Sequence, residues 1–403
     1  MDPAEIQREL DSLPPARQRT LAKRLRRKAA ATERAAESKA DSGVFFHSPA
    51  LKWTIAALLL YLMVEGLLFH LGWYNQYLEP SSTAGQVEGH LSWLKRYPHG
   101  SAAEVMVIGD SRIAESFSAR AAGQLTGQRF RFWNFGIGGA TPRVWYYMLR
   151  DGDPTRRRFA AIVIPLDHYT SEDAWDNARD RLTDLSYLAG RLRWSDCAQF
   201  ALSMHLPDFR IRALTGCVFR GVPLRRDVQE FITNMPARVK SAKEYRRDGM
   251  IYIDDYGGQP DDLRGLTADF VHRTLHFPPG LTEQRKSTIE AMLMPPPAPH
   301  TGEWVRYRNQ WFGKILDLYN GSPTKIIFLE LPRGPIPPPP TDSPKTFPAW
   351  AMAHSHAAVL PSGTFRDLER TDLYFDGLHL NKAGRGLFTE QLARQVMALI
   401  GSN

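Results

Sequence analysis

Apolar positions follow three different rules along this chain. From Trp53 to Trp73 they form a single run, WTIAALLLYLMVEGLLFHLGW, with seven Leu and one charged residue, Glu65. At 1.5 Å per residue a helix of that length spans roughly 30 Å, the thickness of a bilayer's hydrocarbon core. Glu65 costs about 2–3 kcal/mol at depth, which the strongly apolar side chains, at about −0.3 to −0.6 kcal/mol each, offset. The pattern predicts a transmembrane helix within 51–74. Before it, residues 1–50 are polar, with one helix-like stretch, AEIQRELDSL, ahead of Pro14-Pro15 and a basic run ending near Lys28.

Beyond the run the pattern breaks into short apolar stretches separated by helix-like segments. Val105–Ile108, Arg131–Phe135, Ala160–Leu166, Lys325–Leu331 and Ala357–Leu360 read as five strands. Helices are expected over Ile113–Leu125 and Lys382–Ile400. Strands without polar alternation are buried on both faces, which predicts an α/β fold with a parallel sheet covered by helices on each side. The domain reads as 100–403, joined to the apolar run by a linker over 75–99. About 155 residues separate the third and fourth strands, more than a crossover requires, so an inserted helical subdomain is expected at about 170–320. It carries many aromatics and the break Pro295–Pro299, with a second Pro-rich break at Pro335–Pro340.

Charge orients this arrangement. Arg17, Arg19, Lys23, Arg24, Arg26, Arg27, Lys28 and Lys52 precede the apolar run, whereas residues 74–94 hold no Lys or Arg. Positive-inside bias places the N-terminus in the cytoplasm and residues 75–403 outside a cell inner membrane. A cleaved signal peptide, with Ser82-Thr83-Ala84 as its cleavage site, is the rival; the long run and the fifty-residue leader weigh against it. The net charge of +8 comes from 51 Lys+Arg against 43 Asp+Glu and is spread thinly beyond the tail, so nothing points to nucleic acid. Cys197 and Cys217 lack a zinc-site pattern. They are either one disulfide in an oxidising compartment or two buried thiols.

The chemistry centres on Gly109-Asp110-Ser111. A parallel strand ending in a tight turn puts Ser111 at the carboxyl edge of the sheet and the start of the next helix, where open α/β sheets bind ligands. Free N–H groups there favour a developing oxyanion. A base is available in Asp376-Gly377-Leu378-His379, whose spacing lets the carboxylate reach imidazole Nδ1 and leaves Nε2 for the serine. The bland alternative is a helix-capping pair. A second copy, Asp269-Phe270-Val271-His272, lies in the insert with no strand predicted before it. Gly136, Gly138 and Gly139 do not complete a Gly-x-Gly-x-x-Gly dinucleotide motif.

In order and spacing, Gly109-Asp110-Ser111, Asn134-Phe135-Gly136-Ile137-Gly138-Gly139-Ala140-Thr141 and Asp376-x-x-His379 resemble the SGNH (GDSL) hydrolase superfamily over roughly 100–170 and 320–400. The resemblance implies a flavodoxin-like three-layer α/β/α fold and ester or acyl-transfer chemistry that needs no metal or cofactor. By it Ser111 is the nucleophile, His379 the base, Asp376 its orienter, and Ser111 and Gly139 backbone oxyanion donors. The family's third block, Gly-x-Asn-Asp, corresponds here to Pro165-Leu166-Asp167-His168. Asp167 at the oxyanion position accepts rather than donates when ionised. Arg112, Arg143 and Arg333, beside the matched blocks or at strand ends, are expected to neutralise that carboxylate or bind an anionic substrate. Two functions are therefore expected: an extracytoplasmic esterase or O-acyltransferase acting on an acylated envelope or exported polysaccharide, or a non-catalytic relative that binds glycan or an envelope-assembly partner.

Overall fold

The computed structural model describes residues 49–97, 100–166, 180–248, 257–295, 303–337 and 354–401. Five strands form one sheet: β1 (Ala103–Gly109), β2 (Phe130–Gly136), β3 (Phe159–Leu166), β4 (Lys325–Glu330) and β5 (Ala357–Val359). Their order is β2-β1-β3-β4-β5, and every neighbouring pair is parallel. The chain turns outward from β1 to β2 and returns to the other side of β1 with β3. The sheet's direction of growth therefore reverses beside β1, and Ser111 follows that strand directly.

The strands lack alternation because both faces are covered. Met106, Ile108, Phe135, Ile162, Ile164 and Phe328 pack into one cluster with α1 (Thr83–Arg96), α4 (Pro142–Gly152) and α5 (Glu303–Leu318). The intervening Val105, Val107, Ala161, Val163, Ile327 and Leu329 pack on the other side. There they meet α2 (Ser111–Ser116), α3 (Ala119–Leu125) and α6 (Lys382–Ile400). Successive side chains of a strand point to opposite faces, so each apolar run supplies two cores at once.

Three expected boundaries move. The stretch expected as linker contains α1, which buries Val87, Leu91 and Leu94 in the core. The single helix expected over Ile113–Leu125 is two, because Ser118 turns out of the helix and caps α3 by accepting from the Ala121 N–H. The insert ends before α5, whose Tyr307, Trp311 and Ile315 cover the sheet as the crossover into β4. Within the insert, Trp194–Leu202 and Pro207–Val218 are joined by a disulfide between Cys197 and Cys217, with Cα atoms 5.5 Å apart. That decides between the two cysteine readings.

The chain divides into two units, one ending at Leu67 and the other beginning at Leu68. An α-helix over Pro49–Glu65 continues as a π-helix over Gly66–His70. Together these 22 residues, which include an 18-residue stretch of mean hydropathy 1.7, are long and apolar enough to cross a membrane. The helix starts earlier than the apolar run and stops before Trp73, where Gly72 adopts φ +74°.

Candidate active site

Ser111 is the first residue of α2, immediately beyond the carboxyl end of β1. Asp110 caps the helix, its carboxylate accepting from the Arg112 N–H at 2.9 Å. The helix is only six residues long, so its dipole is small; what it offers at Ser111 is a backbone N–H with no acceptor among the described residues. From below, Asn134 on β2 fixes the helix: its amide donates to the carbonyls of Ile113, Ala114 and Phe117. Arg385 of α6 also donates to the Phe117 carbonyl, at 2.9 Å. Gly136 lets this helix sit against the strand end, since a Cβ there would lie 2.2 Å from the Ala114 nitrogen.

Asp376 and His379 come from the loop before α6. That loop is closed by an isolated antiparallel bridge between Tyr374 and Leu380 and by the Asn381 N–H donating to the Leu373 carbonyl. One Asp376 oxygen accepts from the N–H groups of Leu378 and His379, at 2.8 and 2.7 Å. The other lies 2.9 Å from His379 Nδ1, and His379 Nε2 lies 2.8 Å from Ser111 Oγ. The two side chains are each 13% exposed, and Phe375 stacks on the imidazole. Burial opposes ionisation of Asp376, but the hydrogen bond and charge of His379 outweigh it and hold the carboxyl below its usual range. Burial likewise opposes the imidazolium, but Asp376 outweighs it, with Asp110 and Glu115 adding, so His379 titrates above its usual range.

The second Asp-x-x-His copy folds the same way locally. Asp269 ends the strand Thr267–Asp269, which pairs with Thr274–His276, so a strand does precede it. Its carboxylate accepts from the N–H groups of Val271 and His272 and reaches His272 Nδ1 at 2.7 Å. The spacing alone thus makes the carboxylate–imidazole contact. Two things separate the copies: the His272 side chain is 77% exposed, and only His379 has a serine on its other nitrogen.

Beside Ser111 runs the glycine turn. A Cβ on Gly138 would lie 4.0 Å from that of Ser111, and Gly139 adopts φ +67°. The Gly138 and Gly139 N–H groups have no acceptor among the described residues, whereas their carbonyls are both held. Tyr187 donates to the Gly138 carbonyl at 2.6 Å and Arg181 to that of Gly139 at 2.9 Å. Both belong to the start of the insert, and no motif marks either. Arg181 also lies 3.4 Å from Asp184, a buried carboxylate that accepts from Thr141, at the end of the glycine turn, and from Tyr307.

Arg143, expected to bind substrate, is instead part of this buried anchor. It is wholly inaccessible, pairs with Asp184 at 2.8 Å, and lies among the rings of Phe200, Tyr307 and Trp311. Arg112 is turned onto Asp110 at 2.7 Å, and Arg333 pairs with Glu369 at 2.7 Å. Each guanidinium has found a carboxylate of the fold itself. Asp167 lies outside the described residues. Comparison with protein-family models and with curated proteins gave no match.

Proposed function

We propose that the domain is a serine-dependent ester hydrolase or O-acyltransferase of the SGNH type, working through an acyl-enzyme on Ser111. The observation that carries this reading is the hydrogen-bonded line from Ser111 Oγ through His379 to Asp376. As Oγ attacks the ester carbonyl, its proton passes to His379 Nε2, and Asp376 stabilises the imidazolium through Nδ1. The carbonyl oxygen takes the bonding pair and is met by the N–H groups of Ser111 and Gly139. Collapse expels the alcohol, which takes the proton back from Nε2. Water or a sugar hydroxyl, deprotonated by the same nitrogen, then releases the acyl group. The sheet order, 2-1-3-4-5 in chain numbering, supports a flavodoxin-like assignment.

Lys/Arg asymmetry about the apolar helix supports a single-pass inner-membrane protein whose domain lies outside the cytoplasm. The disulfide fits that oxidising side. An esterase tethered there meets acylated envelope or exported glycans, which we take as its substrate class. A fluorophosphonate should label the purified full-length protein at Ser111 and leave Ser111→Ala unlabelled; equal labelling of both would reject the nucleophile. One sequence feature favours a second, non-catalytic reading as a glycan-binding or assembly protein: Asp167 where the family carries an oxyanion-donating Asn.

A further inference from the structure

The domain holds a polar cavity built without any residue of the Ser111 site. It has a volume of about 260 Å³ and opens between the last turns of α1 and α4 and the segment Gly190–Trp194. The crossover from β2 to β3 begins at the carboxyl edge of the sheet, so the last turn of α4 lies at the amino edge. The cavity is therefore at the opposite end of the sheet from Ser111.

Four cations line it: Lys95, Arg191, Arg193 and Arg220. Lys95 has no ion-pair partner among the described residues, and Arg191 pairs with Glu88. The one acidic lining residue, Asp151, is already held by Arg150 at 2.8 Å and lies 3.4 Å from Arg193. The lining thus carries a surplus of positive charge around an open space, a setting that recruits an anion with several acceptor oxygens. The wall is completed by His70, whose ring stacks on Trp194 with centroids 4.0 Å apart. His70 is the last residue of the apolar helix. Around it Leu71, Trp73 and Trp194 are left 77%, 50% and 57% exposed. Exposed indoles next to the end of an apolar span belong at a headgroup layer, where one side of the ring is apolar and the other wet.

We infer that this cavity binds the phosphate of an anionic phospholipid headgroup. The cations supply the charge, and the exposed indoles supply contact with the lipid's glycerol and upper chain. Phosphate held there sets the amino edge of the sheet at the bilayer surface and leaves the Ser111 edge on the far side.

The test uses the full chain in detergent micelles, with retained lipid counted by native mass spectrometry. Lys95 and Arg193 are exposed and take no part in the Ser111 site, so Lys95→Ala and Arg193→Ala should keep the thermal midpoint and the reactivity of the serine. Phosphatidylglycerol should be retained in preference to phosphatidylcholine. Each substitution should weaken that retention about fivefold, and the pair about twenty-five-fold, if each cation contributes as basic residues do near an anionic surface. Inorganic phosphate should displace the lipid, because both use the same oxygens. Undiminished phosphatidylglycerol retention in the folded double variant would assign lipid binding to the basic N-terminal tail and overturn the inference. Binding of inorganic phosphate with no retention of phosphatidylglycerol would reject the lipid as its source.

Discussion

Tyr187 donates its phenol to the Gly138 carbonyl at 2.6 Å, and thereby fixes the Gly139 N–H. The two groups belong to one trans peptide plane and point in opposite directions. Burial keeps the Tyr187 phenol neutral by pushing its pKa up, so it remains a donor. A donor on the carbonyl also polarises the N–H across the same peptide.

Tyr187→Phe should therefore lower kcat for a simple ester by about tenfold, less than the 10²–10³ lost with a whole oxyanion donor, and leave KM nearly unchanged. The split between kcat and KM is the relevant readout. A variant that raised KM alone would assign Tyr187 to substrate contact rather than to positioning.

His379→Ala and Ser111→Ala should each remove turnover by about three or more orders of magnitude without unfolding the domain, because in the proposed mechanism both act in one step. His272→Ala, which removes an equally well-formed but exposed Asp–His contact, should leave turnover within about twofold of wild type. Steady-state ester hydrolysis by the three variants checks this; dependence on His272 instead of His379 would overturn the assignment of the base.

That contrast also marks what the chain discloses by itself. Asp-x-x-His is a local motif and forms its contact wherever it occurs, at 269–272 as at 376–379, so the sequence can name two candidate pairs. Selection of one comes from β1, which delivers Ser111 to His379 across 268 residues of chain. The double-faced sheet is legible because Met106 and Val107, successive apolar residues, serve different cores. The α1 helix is not, since its apolar positions are interleaved with Gly85, Gly89 and His90, all buried by tertiary packing that no period announces. The same holds for Arg181, Asp184 and Tyr187. They reach the glycine turn from the insert through long-range contacts, while Arg143, adjacent to that turn in sequence, is drawn inward by Asp184.

Reduction of the Cys197–Cys217 bond should weaken the domain. It closes a loop of 20 residues, for which chain entropy gives about 3 kcal/mol. Urea unfolding of the oxidised and the reduced protein should differ by about that amount, and Cys217→Ser should behave like the reduced form. Indistinguishable curves would mean that the loop's ends are held as firmly by packing as by the bond.

Gly136→Ala tests the seat of α2. The added methyl would meet the Ala114 nitrogen at 2.2 Å, backbone that cannot rotate away. Overpacking of this kind costs about 1–3 kcal/mol, and relief requires α2 to move with Ser111 upon it. Stability and acylation rate should fall together. Loss of stability with unchanged acylation would show that the strand end yields instead of the helix.

The pH dependence follows from the opposed shifts of Asp376 and His379. His379 accepts the Ser111 proton only when neutral, and its partner Asp376 holds its pKa above 6.5. Acylation should therefore rise with pH through a midpoint above 6.5. Stability should run the other way over that range. A raised imidazole pKa contributes stability that is complete below 6.5 and is lost as pH climbs through the folded value. The lowered carboxyl of Asp376 contributes stability that is present above 3.8 and is lost as pH falls through its folded value. The pair thus stabilises the fold most between about 3.8 and 6.5, on the acid side of the activity rise. Asp376→Asn should flatten both effects: the acylation midpoint should drop, and the rate should fall by about 10⁴ through loss of the imidazole's orientation. Stopped-flow acylation and urea unfolding across pH, on both proteins, check this together. A wild-type acylation midpoint at or below 6.5 would show that the Asp376 charge is not felt at the Ser111 nitrogen of the ring.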